Sequence, residues 1–142
     1  MLNNLYQKTI IDLNRQPHNF GKLEGFTHSA EQYNPTCGDD LTVYLKISAG
    51  IIDDISFDGD GCAISRASAS LMTDALKGKK INEASDIYKK FYSLLDSTSA
   101  VQQDDPNLKN LTIFSDIKKF PSRITCAKLP WEAFIHASQN RQ

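Results

Sequence analysis

A chain of 142 residues is the size of one ordinary domain, and one domain over 1–142 is expected, large enough to bury a single hydrophobic core without several staples. Its 16 Lys and Arg against 17 Asp and Glu leave a net charge of −1 and are scattered along the chain, which argues against nucleic acid and anionic membrane as partners. The opening Met1–Tyr6 lacks the basic and apolar regions of a secretory leader, no stretch reaches bilayer length, and the three cysteines are an odd number, so a cytoplasmic protein with free or metal-bound thiols is expected.

Leu2, Leu5, Tyr6, Thr9, Ile10 and Leu13 recur at spacings of three and four, which predicts an amphipathic helix over 2–15 ended by Pro17. Residues 17–40 are rich in turn formers and predict a loop carrying Cys37 and Asp39. A strand through Phe26 to Tyr33 is faintly patterned. The alternation of 41–48, the Ala49-Gly50 turn and the alternation of 51–57 predict a β-hairpin. After Gly61, a helix over 63–77 places Ile64, Ala67, Ser68, Leu71, Met72 and Ala75 on one face, and its many small residues imply close packing on the sheet. Asn82 is the expected cap of a helix running to about Ser97. Residues 98–110 read as a mobile connection before a short apolar patch at Leu111, Ile113 and Phe114. Pro121 then starts the last helix, with Cys126 in its first turns and Trp131 and Phe134 packing onto the sheet. The fold class expected is α+β: a small antiparallel three-stranded sheet with helices on one face.

Three cysteines and one aspartate carry the chemistry. Each cysteine stands at a structural punctuation mark: Cys37 in Asn34-Pro35-Thr36-Cys37-Gly38-Asp39, Cys62 in Gly59-Asp60-Gly61-Cys62-Ala63-Ile64-Ser65, and Cys126 in Arg123-Ile124-Thr125-Cys126-Ala127. Inert core cysteines belong in the middle of apolar elements, so this placement favours function. Three thiolates and a carboxylate would complete a tetrahedral zinc shell with no open position, which suits structure or sulfur traffic better than hydrolysis. Cys62 stands where a helix N-terminus favours the thiolate. Asp39, across Gly38 from Cys37, is either a ligand or an Asx-turn or cap for the strand that follows. Arg123, three residues before Cys126, shares a helical face with it and is either a charge offset for the thiolates or a solvated surface arginine. His18, His28 and His136 have no partners at ligand spacing and are expected on the surface or in loops.

These three motifs, extended through Phe120-Pro121-Ser122-Arg123 and Lys128-Leu129-Pro130-Trp131, resemble those of the IscU/NifU-like superfamily of iron–sulfur cluster assembly proteins. Within it they resemble the SufU branch: Thr125 stands where the scaffold branch carries a His, and the connection from Cys62 to Cys126 holds an insertion around 96–118. The resemblance implies a SufE/NifU/IscU-like fold and Zn²⁺ held by Cys37, Asp39, Cys62 and Cys126. It implies a PLP-dependent cysteine desulfurase of the SufS kind as persulfide donor, with downstream iron–sulfur assembly proteins beyond it. It also raises Arg123 to a functional residue. Of the three cysteines, loop-borne Cys37 is the expected sulfur acceptor. The function expected is a zinc-dependent sulfurtransferase; the alternative is a non-enzymatic scaffold on which [2Fe–2S] or [4Fe–4S] clusters are built with the same ligands.

Overall fold

The computed structural model describes residues 4–96 and 105–140. Helix α1 (Asn4–Arg15) leads through a loop to strands β1 (His28–Asn34), β2 (Asp39–Ser48) and β3 (Ile51–Asp60). Helices α2 (Ala63–Leu76) and α3 (Ile81–Leu95), a 3₁₀ segment (Lys109–Ile117) and helix α4 (Pro121–Ser138) follow. The strands form one antiparallel sheet in the order β1-β2-β3, so the faint pattern around Phe26 to Tyr33 is a full member of the sheet. Helices cover the face onto which β2 turns Asp39, Leu41, Val43 and Leu45, the α+β architecture expected.

Ala49 and Gly50 turn the hairpin with positive φ of 52° and 76°, the handedness that suits the twist of the flanking strands. The register slips by one residue between Lys46 and Ile47, leaving Asp53 unopposed. That bulge brings Ile52 and Ile55, three apart in sequence, onto the same buried side. Strand β3 runs on to Asp60, three residues past the predicted end, because Gly59 and Asp60 keep pairing with Leu41 and Asp40.

Several expectations are corrected. On α1 the buried stripe is Tyr6, Ile10 and Leu13, while Leu5 is 63% exposed, so the apolar face is narrower than its spacing implied. Leu2 lies outside the described residues. Helix α2 is buried nearly all round because it packs chiefly between α1 and α4, and its small residues serve helix–helix approach more than sheet contact. Helix α3 begins at Ile81, where the Glu83 carboxylate accepts the Lys80 N–H at 3.0 Å, so Asn82 lies inside the first turn and is not the cap. Trp131 stacks on Phe91 of α3 at 4.7 Å and donates its Nε1 proton to Ser68 of α2, so it faces the helices and not the sheet. His28 is buried on β1 beside the Thr27 hydroxyl, 2.7 Å away, and is no surface residue. His18 and His136 are exposed, His18 against Asp74 at 2.6 Å.

Of the connection expected over 98–110, residues 98–104 lie outside the described part. The remainder is anchored: Leu108 is fully buried and Asp105 meets Lys90 at 2.6 Å. The 3₁₀ segment then inserts Leu111, Ile113, Phe114 and Ile117 into the core, with Phe114 edge-on to both Tyr6 and Phe91. No helix among the described residues is long and apolar enough to cross a membrane.

Candidate metal centre

The turn between β1 and β2 is held by Asn34, whose carbonyl accepts the Gly38 N–H at 2.8 Å and whose side-chain oxygen accepts the Thr36 N–H at 3.0 Å. Gly38 closes it with φ of +79°, a conformation costly to a side chain, and Cys37 is left exposed at the tip. Among the described residues the one hydrogen-bond contact of the Cys37 sulfur is to the Asn34 carbonyl, at a long 4.0 Å. Asp39, expected on this loop, is instead the first residue of β2 and 4% exposed. It shares the inward parity of Leu41, Val43 and Leu45, a signal that was present in the alternation.

From β3 the chain bends through Gly59-Asp60-Gly61 into α2. A Cβ on Gly59 would sit 2.2 Å from the Asp40 carbonyl oxygen, so that position demands glycine, and one on Gly61 would come within 2.4 Å of the Ser65 hydroxyl and force that side chain to move. The bend makes Cys62 the N-cap of α2, where its sulfur accepts the Ser65 N–H at 3.4 Å. Its own N–H donates to Asp39 Oδ1 at 2.9 Å, tying the carboxylate to the start of the helix. The other oxygen, Asp39 Oδ2, is buried with no hydrogen-bond partner among the described residues. Leaving such a group unsatisfied costs about 1–3 kcal/mol or more for a charge. The carboxylate is therefore neither the turn nor the strand cap that the sequence left open.

Cys126 sits in the second turn of α4, half-buried. Its thiol is held well above the ordinary range by burial, then by Cys62, with which it shares a hydrogen bond, and by the negative charge of Cys37 and Asp39. Ligand atoms of Cys37, Asp39 and Cys126 lie within 4.8 Å of one another. The Cys62 sulfur stands outside that mutual triad but beside Cys126. An orphaned buried carboxylate oxygen amid three converging sulfurs fits a soft divalent cation, which would favour the thiolates and satisfy Oδ2 together. Arg123 stacks its guanidinium on Phe120 at 4.7 Å and lines a groove with Tyr6, Ala63 and Ile64. Burial raises the Tyr6 phenol above its ordinary range; Arg123 pulls the other way, and Asp116, Cys62 and Cys126 add to the burial, so the groove feels both the arginine and the cysteine site.

Residues 5–127 match the NifU-like N terminal domain. The chain belongs to the IscU/NifU-like family of iron–sulfur cluster assembly proteins. It is 36% identical to the iron-sulfur cluster assembly scaffold protein IscU of Thermotoga maritima, over 94% of this chain and 92% of that one. It is 38% identical to the zinc-dependent sulfurtransferase SufU of Bacillus subtilis, over 93% and 88% respectively. The fold matches the crystal structure of the N-terminal part of a nitrogen-fixing NifU-like protein from Brucella abortus with a TM-score of 0.84 at 22% identity, covering 94% of this chain and 92% of that one.

Proposed function

We propose that the protein is a SufU-type, zinc-dependent sulfurtransferase that takes persulfide sulfur from a PLP-dependent cysteine desulfurase in the cytoplasm. The observation that carries the reading is an asymmetry among otherwise equivalent thiols. Cys62 and Cys126 are anchored in helices, whereas Cys37 is exposed on a turn and among the described residues its sulfur is held by one weak hydrogen bond. Support comes from the 38% identical relative of that name and from Thr125, exposed where the scaffold branch places a potential His ligand. Zinc bound by Cys37, Asp39, Cys62 and Cys126 would hold the thiols deprotonated at neutral pH.

In the transfer, the Cys37 thiolate attacks the outer sulfur of the donor's cysteine persulfide. A new S–S bond forms at Cys37, the donor's S–S bond breaks, and the donor cysteine leaves as a thiolate with the electron pair. Asp39, fixed through Oδ1, and the two helix-borne cysteines keep the site assembled while Cys37 reacts. Arg123 offsets the excess negative charge around it.

The scaffold reading is kept because other relatives, including the Thermotoga maritima protein, carry that name. Protein purified without oxygen separates the two. Stoichiometric zinc together with acceleration of desulfurase turnover is the result expected. A stable coloured cluster with no effect on the desulfurase would replace the sulfurtransferase by the scaffold.

A further inference from the structure

Arg66 lies one helical turn beyond Cys62, so both side chains stand on the same face of α2. Its stem runs back toward the helix start, where a Cβ on Gly61 would come within 3.6 Å of Arg66 Cγ. The guanidinium rests on the ring of Phe20, 5.1 Å from its centre. Phe20 is 47% exposed, yet it is rigidly mounted: it stands edge-on to buried Phe57 at 5.2 Å, and its neighbours are bonded to β3 through Phe57 N–H to Asn19 O and Gly21 N–H to Phe57 O.

Among the described residues Arg66 makes no salt bridge, and its side chain donates to no acceptor. Nε is buried and unsatisfied. Elsewhere in the chain Lys77 and Lys90 do find carboxylates, whereas Asp60, six residues before Arg66 at the end of β3, is not used by it. A cation over an aromatic ring keeps its charge, and a guanidinium with no carboxylate partner keeps its terminal donors for two parallel hydrogen bonds. That fork matches a carboxylate. A persulfide sulfur is a single-point acceptor and gains nothing from it.

We propose that Arg66, braced by Phe20, is a docking determinant that receives an Asp or Glu side chain of the sulfur-donating partner beside the cysteine site. The inference rests on the sulfur-acceptor reading above, and it names the chemistry by which the donor is recognised. Arg66 takes no part in the transfer itself; it raises the time the donor spends over Cys37 and makes the encounter depend on salt.

The test is a titration of zinc-loaded protein into a PLP-dependent cysteine desulfurase, reading the concentration for half-maximal acceleration. Arg66→Gln is expected to raise it about tenfold, Arg66→Glu further, with a shallower salt dependence and with zinc content and melting temperature held. Arg66→Lys, which keeps the charge without the fork, recovers only part of the affinity. Phe20→Ala, on a different element, raises the half-point as well because the brace is gone. Unchanged half-points in Arg66→Glu with wild type active would overturn the docking role alone, as would a loss confined to turnover at saturation. Loss of zinc or of thermal stability in the Arg66 variants would reassign the residue to the fold. A wild type that fails to accelerate the desulfurase at all removes the sulfur-acceptor reading and this inference with it.

Discussion

Cys37 and Asp39 are two residues apart and face opposite constraints. Gly38 lets the chain leave an exposed turn and enter a buried strand within one residue, so the thiol is presented to solvent while the carboxylate is held inward. Cys37→Ser should therefore abolish sulfur acceptance and leave the fold intact, since the other three donors stay in place; mass spectrometry finding the persulfide on Cys62 or Cys126 would reverse the assignment. In the zinc reading Asp39 would have two separable jobs, one oxygen for the Cys62 N–H and the unsatisfied one for a cation. Asp39→Asn keeps an acceptor for the amide and loses the anionic ligand, whereas Asp39→Ala loses both. Both variants should loosen zinc at least tenfold on the general scale of a lost ligand or its hydrogen-bonded support, and Asp39→Ala should also melt earlier. Neither should yield a lasting cluster: a stoichiometric, long-lived [2Fe–2S] spectrum from anaerobically reconstituted Asp39→Ala would favour the scaffold. The cysteines were legible in the sequence because each one interrupts a pattern at a Gly or Pro. Asp39's inward aim was present in the alternation of β2 but masked by the turn formers just before it. Arg66 and Phe20 left no trace, since their stacking is a contact across 46 positions, by subtraction of the two residue numbers, that no local period reports.

Elements carry the cysteines into register through a few buried polar contacts. Ser68 of α2 donates to the Ala127 carbonyl at 2.6 Å and accepts the Trp131 indole N–H at 3.2 Å, both fully buried, and Ala127 follows Cys126 directly. Pro130 has no N–H to give the Cys126 carbonyl, so this part of α4 lacks one internal bond and leans on Ser68 for its position. Ser68→Ala should destabilise the protein by about 1–3 kcal/mol, because the indole donor and the carbonyl are both left short of a partner. Guanidinium denaturation measures it, and a change near zero would mean the contact is dispensable. The hairpin offers the opposite sign. Ala49 occupies a left-handed position that suits Asn far better, so Ala49→Asn should stabilise by about 1 kcal/mol in the same assay. Helices α1, α2 and α4 and the hairpin were readable from their periods and stops. What the small residues of α2 pack against was not, because a tight face looks the same whether its neighbour is a sheet or another helix. The 3₁₀ segment was equally hidden: its apolar patch is too short to declare a period, and only burial between α1 and α3 gives it a shape.

At the scale of the whole molecule, the proposed metal centre would share the work of stabilisation with the hydrophobic core. Zinc sites of such donors contribute about 10–16 kcal/mol in small zinc-finger peptides, comparable with the 5–15 kcal/mol by which an entire domain is stable. This protein has a core besides: Leu41, Val43, Leu45 and Phe57 from the sheet and Phe91, Phe114 and Trp131 from the helical side are fully buried without any help from the thiols. The proposed donors, by contrast, come from four separate places, the β1–β2 turn, the start of β2, the N-cap of α2 and the second turn of α4, so one cation held by all four would staple the sheet to two helices. Without it, three thiols and an unsatisfied buried carboxylate are left facing one another. Chelation should lower the melting temperature markedly without unfolding the chain at room temperature. Hydrogen exchange should then show protection lost at 34–39, at 59–65 and across the first turns of α4, while the paired centre of β2 and β3 keeps its own. An unchanged melting curve after verified metal removal would show that the core alone holds the fold, and would strip the cysteine cluster of its structural role while leaving the chemistry of Cys37 to be judged by sulfur transfer.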